Sequence, residues 1–388
     1  MKLIKRILPM FLAVMLFTAM IPAASAATTI SIKIDGQTVS SDTAPYVENG
    51  TTLVPVRVIT EYLGADVSWV QAKQQAVVKT AGYTVVFTLG SKNYTVNGVT
   101  KTLLLAPRAV NQRTMIPLRA LSEAIGADVD YDAATKTAVV NYFTTMTGSI
   151  KISGSTTLQP IAQAAADKLL SMNTGLSIAV SGGGSSAGIK DTINGANNVG
   201  MSSRVLTADE SASLTQFTVA NDGIALIVNP NNTVKNLTKE QAEKIFLGEI
   251  TNWKDVGGND APILVQTRET GSGTLATLSE LLLEKAAVVS TATPYASSAL
   301  IKQAVASDVN AIGFDSIGYV DSSVKVVSIG NITPTTETVK SGAYLLSRSL
   351  YVFTKGTPEG VNAKFIDFLK SESCQKDIVV KEGYIAIR

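Results

Sequence analysis

The 388-residue sequence predicts an α/β fold for its larger part, preceded by a small α+β repeat domain, and three observations carry that expectation. The chain opens with a leader that reads as cleavable. A block of sequence recurs at a spacing of 62 residues between positions 28 and 145. Beyond position 148, three loops share one order of features: a strand-like run, glycine, hydroxyl residues and the start of a helix.

The leader has basic residues Lys2, Lys5 and Arg6, an apolar run from Ile7 to Ile21, and Ala24-Ser25-Ala26 as a small-residue cleavage site. This is the pattern of a secretory signal peptide over 1–26, too short and wrongly flanked for a membrane span. Losing those three cations takes the net charge from +2 to −1, so nucleic acid is excluded as a partner class. No cysteine lies near the cleavage site to accept a lipid. The expected location is therefore secreted or extracytoplasmic. Cys374 is the single cysteine and histidine is absent, which excludes an intramolecular disulfide and histidine-based triads; no metal and no cofactor are expected.

Between 28 and 145, Leu53-Val54-Pro55-Val56-Arg57 matches Met115-Ile116-Pro117-Leu118-Arg119, and Glu61–Val67 matches Glu123–Val129. Each unit reads as a strand, then a short helix stopped by Gly64 or Gly126, then further strands. Tyr83–Leu89 and Lys92–Val96 alternate like a hairpin, with Asn97-Gly98 as a turn. The complete repeat predicts a domain with its own core. It resembles the secreted module named after the N-terminal domain of copper amine oxidases, although it has no histidine or cysteine to hold copper. Its expected role is a spacer or an interaction module for a cell-surface component.

From 148 to 388 the texture is that of a doubly wound domain. Strand Ser149–Ser153 leads into Gly154-Ser155-Thr156-Thr157 and a helix from Leu158 to Met172. Strand Leu176–Val180 leads into Gly182-Gly183-Gly184-Ser185-Ser186 and a helix beginning near Ile189. Ile263–Gln266 leads into Arg268-Glu269-Thr270-Gly271-Ser272-Gly273-Thr274 and the helical run Leu275–Leu283. Such loops lie at the carboxyl ends of strands, where α/β folds bind ligands. Helix N-termini and hydroxyls with Arg268 as the cation suit a small desolvated oxyanion. They suit a nucleotide less well, because neither phosphate-loop glycine pattern occurs.

Gly154–Pro160, Gly184–Gly188, Gly200–Arg204, Asp222–Ala225 and Arg268–Thr274, with Phe246–Trp253 and Ala311–Phe314, resemble the phosphate-binding subunit of bacterial ABC phosphate importers. The resemblance implies a two-lobed type II periplasmic-binding-protein fold, with lobe one at about 148–225 plus 325–388 and lobe two at about 226–324. It implies that Thr156, Thr157, Ser185, Arg268, Ser272, Gly273 and Thr274 hold inorganic phosphate, with Ser155 and Ser186 as neighbours, and that a membrane permease receives it. Ser203 stands where many relatives have Asp as acceptor of the phosphate proton. That leaves discrimination from sulfate open, with Asp222 and Glu269 as candidate acceptors in its place. Asp222-Gly223 also reads as the turn opening a hinge strand. The competing expectations are a binding protein or sensor for another tetrahedral oxyanion such as sulfate and, more remotely, an enzyme acting on phosphate esters. The enzyme reading lacks a base beside a nucleophile.

Overall fold

The computed structural model describes residues 30–388, so the signal peptide expected at 1–26 lies outside the described residues. In the first part, the repeat shows itself as direct pairing. Strands Thr51–Pro55 and Arg113–Pro117 run antiparallel at the centre of a four-stranded sheet, Met115 opposite Pro55 and Pro117 opposite Leu53. Each is followed by a seven-residue helix, Val56–Tyr62 or Leu118–Ala124, entered through a proline in extended conformation. Between the copies lies a five-stranded antiparallel meander from Asp66 to Thr102. Its Asn97-Gly98 turn has both residues at positive φ, 49° and 82°, the hairpin geometry that suits the twist of the flanking strands. A third sheet joins Ser31–Ile34 in parallel to Thr137–Asn141.

Beyond 148, the order of strands makes two lobes out of one continuous strand. Gly148–Gly154 pairs in parallel with Leu176–Gly183 and with Val199–Ser202, giving the lobe-one sheet its α/β half. The 15-residue strand Leu214–Val228 then crosses between lobes. Its first part, Leu214–Gly223, lies antiparallel to the returning strand Ser347–Lys355, and its second part, Ile224–Val228, pairs with Ala311–Ser316 in lobe two. Leu264–Arg268 and Thr293–Tyr295 complete that sheet. The change of partners falls directly after Asp222-Gly223, but the turn expected there is corrected: both residues lie inside the continuous strand, paired with Arg348 and Ser347. The lobe boundary expected at 324/325 is corrected: Lys325–Ile329 pairs with Leu226–Val228, and Val327, Ile329, Val339, Tyr344 and Leu346 share the lobe-two core. The chain returns to lobe one at Ser347, because only there does it meet the first half of the crossing strand. Trp253 is buried and donates its indole N–H to the Asn310 carbonyl, a packing role.

The expectation of a self-contained first core is also corrected. Its apolar residues run without a break into those of lobe one, from Ile59, Val78 and Tyr142 to Ile161, Phe365 and Phe368. The joint has a polar centre. Asp367, on helix Gly360–Lys370 and wholly buried, accepts the Ala81 amide at 2.7 Å through Oδ1 and the Tyr142 hydroxyl at 2.7 Å through Oδ2. At the rim, Asp66 pairs with Lys370 at 2.8 Å and Arg388 at 2.7 Å. Gly64 has φ +74°, and any Cβ there would run into the Asp367 carbonyl; its repeat mate Gly126 faces open space.

Burial pushes the Asp367 carboxyl up to about 7 against the pull of the Ala81 amide, Tyr142 and Lys370. Its folded value therefore lies above its unfolded one, and the folded state holds the proton more tightly. Stability is lost as pH rises from about 4 to about 7, by roughly 3–4 kcal/mol in total. Denaturant unfolding across that range should show wild type losing stability relative to Asp367→Asn as pH rises; parallel profiles would contradict it.

Candidate functional site

The three Gly–hydroxyl loops meet where the lobes face each other. Gly154, at φ +137°, ends the first strand with no room for a Cβ against the Met201 backbone. That close approach lets the Ser155 amide donate to the Met201 carbonyl at 2.9 Å and turns Thr156 and Thr157 inward. Helix Gln159–Met172 follows, with Pro160 in its first turn, where a missing N–H costs nothing. In the second loop, Gly184 at φ +91° precedes helix Ser185–Asn194. The buried Ser185 hydroxyl accepts the Ser203 amide at 3.1 Å and lies 3.4 Å from the Ser203 hydroxyl.

Lobe two supplies Arg268 at the end of its strand and Ser272 as N-cap of helix Gly273–Leu281, its hydroxyl accepting the Leu275 amide at 3.3 Å. Gly273 sits against the Ser185 and Ser203 hydroxyls, where a side chain would collide with both. The lobes are closed on one another: Thr157 and Thr274 share a hydroxyl hydrogen bond of 3.0 Å, Thr277 donates to the Ser203 carbonyl at 3.1 Å, and the Ser186 amide donates to the Gly271 carbonyl at 3.0 Å.

Arg268 is 3% exposed. Its Nε donates to the Tyr295 carbonyl, Nη1 to the Ser298 hydroxyl, and Nη2 to the Thr156 hydroxyl and the Ala296 carbonyl, all at 3.0–3.1 Å. Four of five guanidinium donors thus go to neutral acceptors. Among the described residues no carboxylate lies within ion-pair distance of it. Burial pulls its pKa down, and the neighbouring Arg348 adds to that while Asp315 opposes it. A buried cation with a spare donor, ringed by hydroxyls from both lobes, is arranged to receive an anion.

Of the residues singled out from sequence, Ser155, Thr156, Thr157, Ser185, Ser203, Arg268, Ser272, Gly273 and Thr274 come together in this buried cluster. Ser186 and Glu269 are exposed at its edge, which removes Glu269 as an acceptor facing the interior. Asp222 is wholly buried but already engaged: Oδ2 takes Arg348 Nε at 2.9 Å and Nη2 at 2.8 Å, and Oδ1 takes the Ser316 hydroxyl at 2.6 Å. Burial raises its pKa and Arg348 pulls it back. Arg348 was not singled out from sequence. It bridges the hinge, from the return strand to the Ser203 carbonyl at 3.2 Å and the Thr157 hydroxyl at 3.5 Å. The one available signal was a lone arginine in the apolar run Tyr344–Phe353. Tyr319 and Tyr384 fix the first loop from behind, their hydroxyls donating to the Thr156 and Thr157 carbonyls at 2.8 and 2.6 Å.

Two lobes joined by two chain crossings and closed over a desolvated, cation-bearing cluster of hydroxyls define a solute-binding protein. Residues 132–373 match the PBP superfamily domain, and residues 33–140 match the copper amine oxidase N-terminal domain. The chain is 36% identical over 244 residues to the phosphate-binding protein PstS of Bacillus subtilis, covering 62% of this chain and 81% of that one. It is 40% identical to a phosphate ABC transporter substrate-binding protein of Clostridium perfringens solved with bound phosphate, with a TM-score of 0.60 over 62% of this chain and 100% of that one. An ABC-type phosphate transport receptor from Vibrio cholerae is also 40% identical, with a TM-score of 0.53 over 61% of this chain and 99% of its own. The chain belongs to the PBP superfamily, among the PstS phosphate-binding proteins. Among the described residues there is no helix long and apolar enough to cross a membrane and no group of three potential metal ligands.

Removing Arg348 leaves Asp222 as a buried, unpaired charge. Arg348→Ala should cost about 3–5 kcal/mol of unfolding free energy in denaturant titrations. A cost below about 1 kcal/mol would mean that the hinge pair is not held as an ion pair.

Proposed function

We propose that the chain captures inorganic phosphate between its two lobes outside the cytoplasm and delivers it to an ABC importer in the membrane. The observation that carries this reading is Arg268: a buried guanidinium without an ion-pair partner among the described residues, with Thr156, Ser298 and the neighbouring hydroxyls around it. Phosphate is taken as the ligand because the three relatives bear phosphate-binding or phosphate-transport names. The residues assigned to hold it are Thr156, Thr157, Ser185, Ser203, Arg268, Ser272, Gly273 and Thr274, with Ser155 supporting the first loop. The role is binding and presentation, without chemistry on the ligand. The 28–145 domain, docked on lobe one, is assigned to contacts with other surface components.

Isothermal titration of the mature chain should give one phosphate per protein, unchanged by EDTA, with sulfate as the competing ligand. Arg268→Ala should weaken phosphate binding by about 2–5 kcal/mol, since a charge-assisted contact is lost in a closed site. Loss of binding on EDTA treatment, or a change under tenfold for Arg268→Ala, would overturn this account of the site.

A further inference from the structure

Behind Arg268 lies a carboxylate that the binding reading leaves without a task. Asp315 lies next to last in the buried lobe-two strand Ala311–Ser316 and is wholly buried. Its Oδ1 accepts the Ser316 amide at 2.8 Å, while Oδ2 has no hydrogen-bond partner among the described residues. A buried, unpartnered carboxylate oxygen is costly, so its presence beside a ligand site calls for a reason.

The charges around it supply one. Arg268 and Arg348 face it from the strands before the glycine-rich loop and after the hinge, and Tyr319 and Tyr384 are titratable neighbours; Asp222, on the crossing strand, accepts the hydroxyl of the next residue, Ser316. The two guanidiniums and two carboxylates sum to zero. An anion entering this interior is therefore uncompensated unless one carboxylate takes up a proton. Asp222 is held by two guanidinium N–H groups and the Ser316 hydroxyl, so it is the poorer proton acceptor. Asp315 has the open oxygen. It is linked to the ligand cation through Ser298, whose hydroxyl accepts Arg268 Nη1 at 3.1 Å and lies beside the Asp315 carboxyl.

We propose that Asp315 is the proton-coupled residue of this site: acting through Ser298 and Arg268, it takes a proton from solvent onto Oδ2 when phosphate binds, and so sets which charge state of an oxyanion is accepted. This rests on the phosphate-binding reading. Desolvation already pushes the Asp315 carboxyl up to about 6, against the pull of Ser298, the Ser316 amide and the two arginines, so near neutral pH it is mostly ionised and able to take up a proton. Dihydrogen phosphate, with one negative charge, needs less compensation than monohydrogen phosphate or sulfate, which both carry two and draw more on a proton taken up by Asp315. Asp315 thereby favours the singly charged form of an oxyanion over doubly charged ones. Asp315 is a positioning residue, not assigned to touch the ligand.

Carboxyl carbon NMR of the wild-type chain, titrated from pH 5 to 8 with and without inorganic phosphate, reads this directly. The Asp315 midpoint should move up by at least about one pH unit when phosphate is bound, as expected for a like charge added nearby in a poorly screened interior. Calorimetry in two buffers of different ionisation heat adds a second reading. Wild type should take up more protons per phosphate at pH 7 than Asp315→Asn, and phosphate affinity should rise less steeply with falling pH in the variant. An unmoved midpoint, or equal proton uptake with phosphate still bound, overturns the role of Asp315 and leaves phosphate capture standing. Absence of phosphate binding to wild type overturns both.

Discussion

The closed site depends on a charge placed where water is scarce. Arg268 keeps four of its donors occupied by carbonyls and hydroxyls, which hold the guanidinium in one orientation without cancelling its charge. A carboxylate at ion-pair distance would have satisfied the same donors and removed the attraction for a ligand. Neutral partners fix the geometry and leave the electrostatics for the anion. Gly273 then has a plain purpose, because hydroxyls of lobe one reach the lobe-two loop only if backbone and not a side chain fills the gap against Ser185 and Ser203.

A second pair stabilises the framework on which that charge acts. Asp222 and Arg348 sit on the two chain crossings, and Arg348 also reaches Ser203 and Thr157 of lobe one. The pair thus ties the hinge to the loops it must bring together. Buried ion pairs are seldom a net gain in stability compared with apolar packing; their usual merit is to specify one arrangement. Here the arrangement specified is the register between Leu214–Gly223 and Ser347–Lys355, on which both lobes hang.

What was legible in the sequence was local. Glycine followed by serine or threonine between a strand and a helix marks each loop of the hydroxyl cluster within a few residues, and the Asn97-Gly98 turn and both repeat glycines are equally short-range. What was illegible joins distant segments. Arg348 meets Asp222 across 126 positions, and Asp367 meets the amide of Ala81 across 286. A backbone amide leaves no trace in residue identity. A single arginine or aspartate in an apolar run announces burial but not its partner. The lobe boundary failed for the same reason: nothing local in Lys325–Ile329 names its partner, and only pairing with Leu226–Val228 assigns it to lobe two.

Gly64 and Gly126 began as equivalent stops for the helices of two matching units, both at positive φ. Docking on lobe one has since made them unequal. A side chain at 126 meets only backbone strain, whereas at 64 it meets the main chain of Asp367 as well. The twin copies consequently have different mutational latitude: one is free to diversify its surface, while the other is bound to the lineage of the domain it leans on. Exchanging the module between proteins would therefore require its first copy to travel together with the helix it abuts.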